Sequence, residues 1–365
     1  RIKPEELLQE GEVYLDGIGV SEVEVDEKAS EITRIKINLS QWDMTERMAA
    51  WHNTIAAVSE VIPQTGLFTY IKDKNEMTKL YMLAKLVPFI KKDGILFGPD
   101  ISYDLMVEDF PGGVSASYSV DDIKITFEII PLLIGRNSAE QEGAVLYRIS
   151  SRPSVAIVLR CGGGEAVETW GPEKRRYIQE SDFNTAGDKV EIDDNIACIS
   201  TERQPHIIAL KSDGVMIHTT GSRMEEFVDI CFDSGNGNVI IAFAPSKERA
   251  KENISILDYG VECKNVKDYY AKLLQNSLKT PEKHLDEAFR AAVYNLEYSW
   301  YKPLGWIESI HHWVTMWHMQ HVMAANWLGQ TDRARECTLS QADRLGKNGE
   351  VPMLYPSGDI YRVWG

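Results

Sequence analysis

The chain changes its hydrophobic rhythm once, close to Ser246. Before that point apolar residues alternate with polar ones or gather in short β-branched runs. Ile32–Leu39, Val114–Val120, Ile123–Ile130, Val145–Ile149, Val155–Arg160, Ile207–Leu210 and Val239–Phe243 are such segments. A period of two with β-branched enrichment predicts strands. Turn-forming residues punctuate them: Pro111-Gly112-Gly113, Gly162-Gly163-Gly164, Ser212-Asp213-Gly214 and Asp233-Ser234-Gly235-Asn236-Gly237. Regular short strands with such punctuation predict an antiparallel β-sandwich, not βαβ units. It should run from near Gly11 to about Ser246, in a domain of residues 1–245. Thr78–Ile90 reads as a strand pair or as a helix ended near Pro88, and the extended pattern up to Leu96 favours strands. The charged stretch Trp170–Asn195 reads as a long excursion.

Beyond Ser246 the period is 3.6. Ser246 caps a helix predicted over Lys247–Leu257, which Gly260 closes, and a second helix covers Val266–Leu278. These form a linker, 246–279. Thr280 as cap, Pro281 at the first position and Glu282 at the positive dipole end predict a helix reaching about Trp300. Its apolar stripe is Leu285, Ala288, Phe289, Ala292 and Leu296. After Gly305-Trp306 a helix over Ser309–Leu328 is apolar on nearly all sides, so it should be buried. Gly329 stops it. Thr331 then caps Asp332–Leu345, ended by Gly346. The predicted class is multidomain, β then α, with a helical region over 280–365.

At 365 residues there is room for more than one domain, and 44% hydrophobic with 26% charged residues is an ordinary globular balance. A net charge of −16 argues against nucleic acid or an anionic membrane surface as partner. No apolar run reaches the roughly 18–20 residues that span a bilayer. The chain opens at Arg1 without a methionine, so a targeting segment could have preceded it, and a periplasmic or secreted protein is the expectation. Cys161, Cys198, Cys231, Cys263 and Cys337 form no CxxC pair, so neither a disulfide framework nor a zinc site is implied. Gly162–Gly164 fits neither a P-loop nor a dinucleotide fingerprint and reads as a surface loop.

Five of the nine tryptophans and five of the eight histidines fall between Lys279 and Met353, which makes this helical quarter the place to look for chemistry. It reads KTPEKHLDEAFRAAVYNLEYSW, then GWIESIHHWVTMWHMQH, then GQTDRARECTL and NGEVPM. That order, behind a β-sandwich, resembles the six-hairpin glycosidase superfamily, whose catalytic part is an (α/α)6 toroid. The resemblance spans about Ser246 to Pro352 at motif level. It implies a glycoside hydrolase acting on an oligo- or polysaccharide, with 280–365 as the start of the toroid. Sandwich-first order fits hydrolases and phosphorylases of the superfamily better than toroid lyases. Three helices after Thr280 do not complete a toroid. The resemblance therefore implies that this is the N-terminal part of a longer protein, with the main acid and base beyond Gly365. Otherwise the apolar helix faces should self-associate.

Glycoside hydrolysis needs two carboxyl groups flanking the bond. Glu308, at a helix start beside Trp306, is the best local candidate, although a carboxylate there equally suits the helix dipole. Asp359 in SGDIY is the second, with a turn residue as its plainer reading. Trp306, Trp313 and Trp317 are candidate sugar platforms, Trp313 and Trp317 being also natural core residues. His311, His318 and Tyr361 are candidates for hydrogen bonds to hydroxyls. His318 and His321 lie three apart, but the spacing is not HExxH, so neither a metal nor another cofactor is expected. The alternative is a non-catalytic carbohydrate-binding or structural protein of the same architecture.

Overall fold

A computed structural model describes residues 13–15, 18–24, 36–39, 47–51, 54–59, 66–72, 79–97, 106–120, 122–134, 142–163, 166–168, 187–221, 226–276, 279–301, 305–306, 317–343, 345–347 and 349. Strands β1 (Val13–Leu15), β2 (Ile18–Glu24) and β3 (Lys36–Leu39) form a small antiparallel sheet. There follow β4 (Arg47–Trp51), β5 (Thr54–Ser59), β6 (Gly66–Lys72), β7 (Lys79–Lys92), β8 (Ile95–Phe97), β9 (Met106–Phe110) and β10 (Gly113–Val120). Next come β11 (Ile123–Pro131), β12 (Gly143–Arg152), β13 (Ile157–Gly163), β14 (Ala166–Glu168), β15 (Lys189–Asp193) and β16 (Ile196–Ser200). The last are β17 (Ile207–Ser212), β18 (Val215–Thr220), β19 (Glu226–Phe232) and β20 (Gly237–Ala244).

Two antiparallel sheets stack. One has the order β15-β16-β17-β20-β12-β11-β10-β9, the other β18-β19-β13-β7-β6-β5-β4 with β8 and β14 also on β7. Strands β4 and β5 lie against β9 to β12, and β15 lies against β18 and β19. The predicted β-sandwich is therefore present. Leu86, Ile90, Ile157, Leu159, Val228 and Ile230 share one core cluster with Ile125, Phe127 and Ile129. Their spacing of two along each strand is what the alternating pattern encodes. The described part of Thr78–Ile90, from Lys79, lies in the single long strand β7. Among the described residues, only β13 pairs at Pro88, after β6 has left off and before β8 begins, a place where a missing N–H is tolerated. Gly162 and Gly163 are strand residues pairing Lys85 and Ala84, not a surface loop. The end of the expected excursion is an edge strand, β15.

Helices α1 (Lys247–Ser255) and α2 (Tyr259–Leu273) do not stand apart from the sandwich. Ala250, Ile254, Leu257, Cys263, Val266 and Tyr270 belong to the sandwich core. α1 lies on β17 and β20, which explains why β20 is buried without alternation from Val239 to Ala244. Ser246 caps α1 as expected, its hydroxyl accepting from the Arg249 N–H at 3.2 Å. Gly260 does not end the segment. It lies in the first turn of α2, where the Asp258 carboxylate accepts from the N–H groups of Gly260 and Val261, both at 2.9 Å. That cap starts the helix seven residues earlier than periodicity suggested.

Helix α3 (Lys283–Tyr298) follows Thr280, whose hydroxyl donates to Asp286 at 3.0 Å, while Glu282 is the capping residue. A ribbon of β21 (Trp300–Tyr301) and β22 (Gly305–Trp306) separates it from α4 (Trp317–Trp327), and α5 (Thr331–Ala342) returns along α4. Gly329, with φ +78°, ends α4 as predicted. Thr331 is the first helical residue of α5 and Gln330 its cap position. Two expectations about burial are corrected. Of the proposed stripe on α3, Leu285, Ala288 and Ala292 are exposed, and burial is confined to Val293, Leu296, Glu297 and Tyr298 near its C-terminal end. On α4, Met323 is 57% and Trp327 84% exposed, so this helix is not surrounded by the described residues. No helix among the described residues is long and apolar enough to cross a membrane.

Candidate functional site

The helical part has its own small core of Leu296, Trp300, Trp306, Ala325, Ala334 and Cys337. Trp306 sits at its centre, fully buried. Its indole N–H donates to the Leu296 carbonyl at 2.9 Å. Trp300 meets it edge-on at 4.7 Å between centroids, and His321 stacks on it at 6.3 Å and 10°. Gly305 makes this approach possible. Its φ is +103°, and a Cβ there would lie 2.5 Å from the Cys337 sulfur.

Around this core is a buried ion pair. Arg333 of α5 donates through Nη1 and Nη2 to the Glu297 carboxylate at 2.7 and 2.9 Å, with Glu297 only 2% exposed. Arg333 also donates to the Tyr269 hydroxyl on α2 at 3.3 Å and to Gln330 Oε1 at 3.2 Å, and its guanidinium lies 5.2 Å over the Trp300 ring. Tyr298 accepts from the Gly112 N–H at 3.2 Å and donates to the Phe110 carbonyl at 3.4 Å, reaching the β9–β10 hairpin. Burial also holds the nearby Tyr294 phenol above its ordinary range.

Of the residues singled out by sequence, Glu308, His311, Trp313, Asp359 and Tyr361 lie outside the described residues. Trp317 and His318 occupy the first turn of α4. Trp306, a candidate sugar platform, is buried here, with its indole N–H on a carbonyl, Trp300 at its edge and His321 stacked on it. Sequence reasoning missed Glu297 and Arg333. The signal was available, because an acid inside the apolar run Leu296-Glu297-Tyr298, three residues before Trp300, needs a partner if buried.

A shallow depression of about 560 Å³ lies elsewhere, between the β15–β16 turn and α1, edged by Asp193, Lys211, Glu248 and Lys251. Its charges are those of a solvated surface, with Lys251 bound to Asp193 at 3.1 Å. Among the described residues no three metal-ligating side chains converge, and none of the five cysteines is in a disulfide.

No protein-family model and no curated protein sequence matches the chain. Among solved structures it is similar to a provisionally assigned kojibiose phosphorylase from the human microbiome, with a TM-score of 0.51 and 10% identity over 92% of this chain and 52% of that one. It is also similar, with a TM-score of 0.38, to a GH92 family glycosyl hydrolase, ccman5, at 10% identity over 71% of this chain and 39% of that one. A family GH92 inverting mannosidase from Bacteroides thetaiotaomicron gives 0.37, at 10% identity over 87% and 47%. The chain spans about half the length of the phosphorylase. At such identity the likeness is one of fold. What the two share is an antiparallel β-sandwich followed by helices, the order expected from the sequence.

Proposed function

We propose that the chain is the N-terminal part of a glycoside hydrolase that cleaves an oligo- or polysaccharide by paired-carboxylate acid–base chemistry. The observation that carries this reading is the likeness in fold to the phosphorylase, at a TM-score of 0.51. In this reading α3, α4 and α5 are the opening helices of an (α/α)6 toroid. The exposed Leu285, Met323 and Trp327 are then surfaces for the rest of that toroid. Buried Trp306 anchors the segment that carries Glu308, two residues on. Glu308 protonates a leaving oxygen or binds sugar hydroxyls, with Asp359 as a second carboxylate. His311, Trp313, Trp317, His318 and Tyr361 contribute stacking and hydrogen bonds to the sugar.

The test uses the full-length protein on a panel of oligosaccharides. Glu308→Gln should lower activity at least about tenfold, or ~1.4 kcal/mol of transition-state stabilisation, with little change in Tm. Full activity in both Glu308→Gln and Asp359→Asn would remove both residues from the site. The fold likeness to a phosphorylase favours a second reading, glycosyl transfer to inorganic phosphate. Turnover that requires phosphate and releases a sugar phosphate would select it over hydrolysis.

A further inference from the structure

Three consecutive residues at the end of α3 reach three different parts of the molecule. Successive residues of an α-helix are turned about 100° from one another, so a single turn can face in every direction. The Leu296 side chain enters the helical core and its carbonyl holds the Trp306 indole. Glu297 holds Arg333 of α5. Tyr298 turns the other way, joins the sandwich core, and places its hydroxyl between the Gly112 N–H and the Phe110 carbonyl.

That hydroxyl bridges the end of one hairpin. Phe110 and Gly113 are the last register pair of β9 and β10, with Pro111 and Gly112 forming the turn. Gly112 has φ +80°, and a Cβ on it would lie 2.6 Å from both the Tyr270 ring and Val266 of α2. The turn is thus held flush on α2 and bonded to the Tyr298 hydroxyl, whose ring lies 6.2 Å from that of Tyr270. The ribbon hangs directly from the same turn of helix. The Ser299 N–H still bonds the Asn295 carbonyl at 3.0 Å, and Trp300 follows at once.

We propose that Tyr298 is a positioning residue through which the β9–β10 hairpin of the sandwich sets the place of the Trp300–Trp306 ribbon. The sandwich is then part of the frame of the site and not a separate module beside it. The inference rests on the carbohydrate-active reading for what the ribbon serves, but not for the joint itself.

The experiment is Tyr298→Phe in the full-length protein, with Tyr294→Phe as control, because the Tyr294 ring meets Tyr270 at 5.9 Å from the same helix but its hydroxyl makes neither hairpin bond. Hydrogen exchange is followed in peptides covering 106–117 and 299–306. Tyr298→Phe should speed exchange at 299–306 by at least about threefold while Tm stays close to the parent's, and Tyr294→Phe should not. On a substrate that the parent turns over, kcat should fall with KM nearly unchanged, the mark of misplaced chemistry and not of lost binding. Unchanged exchange at 299–306, with or without faster exchange in the hairpin, would overturn the proposal, as would an equal effect of the control. Faster exchange at 299–306 in a protein that turns over no glycan would uphold the joint and count against the carbohydrate reading alone.

Discussion

Phe127, Tyr147 and Phe243 in the sandwich and Trp306 in the helical part are all fully buried, but in unlike company. Phe127 belongs to a large cluster of mainly aliphatic side chains that repeat at every second residue of several strands. Around Trp306 they are one carbonyl, one imidazole, one edge-on indole and a cysteine packed on a glycine. Just beyond stands the Glu297–Arg333 pair. The sandwich distributes its order over many interchangeable contacts. The helical part concentrates it in a few bonds that each depend on particular atoms. Tolerance to substitution should differ accordingly.

The comparison breaks first, if it breaks, at the ion pair. Glu297→Ala leaves the half-buried Arg333 without its carboxylate and should destabilise the protein by about 3 kcal/mol in denaturant titrations, the low end for a buried pair because Arg333 keeps some contact with water. Adding Arg333→Met to Glu297→Leu should recover most of that loss. A double variant as weak as the single one would show that the pair is not where the order resides. Gly305→Ala comes next, at about 3 kcal/mol, combining a positive φ with a Cβ driven onto Cys337. A loss below half a kcal/mol would mean that α5 moves aside freely.

Alkali acts on the sandwich side. Burial, aided by Asp188 and Asp229, pushes the Cys161 thiol far above its ordinary range, and burial raises Cys198 and Cys231 as well. The unfolded chain releases these protons from about pH 8.5, where the folded chain still holds them. The stability they contribute is therefore complete below that pH and is lost as the pH rises above it. The slope should approach ~1.4 kcal/mol per pH unit for a fully buried thiol. Melting curves at pH 8 and pH 10 should show this fall, and Cys161→Ala should flatten it. Smallest is Ile129→Val in the sandwich core, at about 1 kcal/mol, since neighbours of the same kind remain on every side.

The same difference decides what could be read from the sequence. The alternating run Ile123–Ile130 and the β-branched run Val239–Phe243 gave their strands directly, because both patterns are properties of each strand alone. Helix starts were legible where the cap was local, as at Ser246. They were misjudged at Gly260, where Asp258 two residues upstream outweighs the glycine. Long-range partners left no periodic trace. Nothing in the pattern joins Arg333 to Glu297, or Tyr298 to Gly112, because those bonds are set only when separate elements dock. The helical tryptophans stood out by abundance, yet abundance does not tell a ring aimed at a ligand from one closing a core. Trp306 is buried in the helical core.

The cover that α1 lays over β17 and β20 bears on how the protein is born. A nascent chain that has released residues up to 245 from the ribosome has all its sandwich strands but a greasy outer face on β20. That face stays open until the Ser246-capped helix emerges and folds down. Until then the growing polypeptide is a natural client for holding chaperones. A gene cut at the change of rhythm would freeze it in that vulnerable stage, so a soluble sandwich should need its tail as far as Leu273.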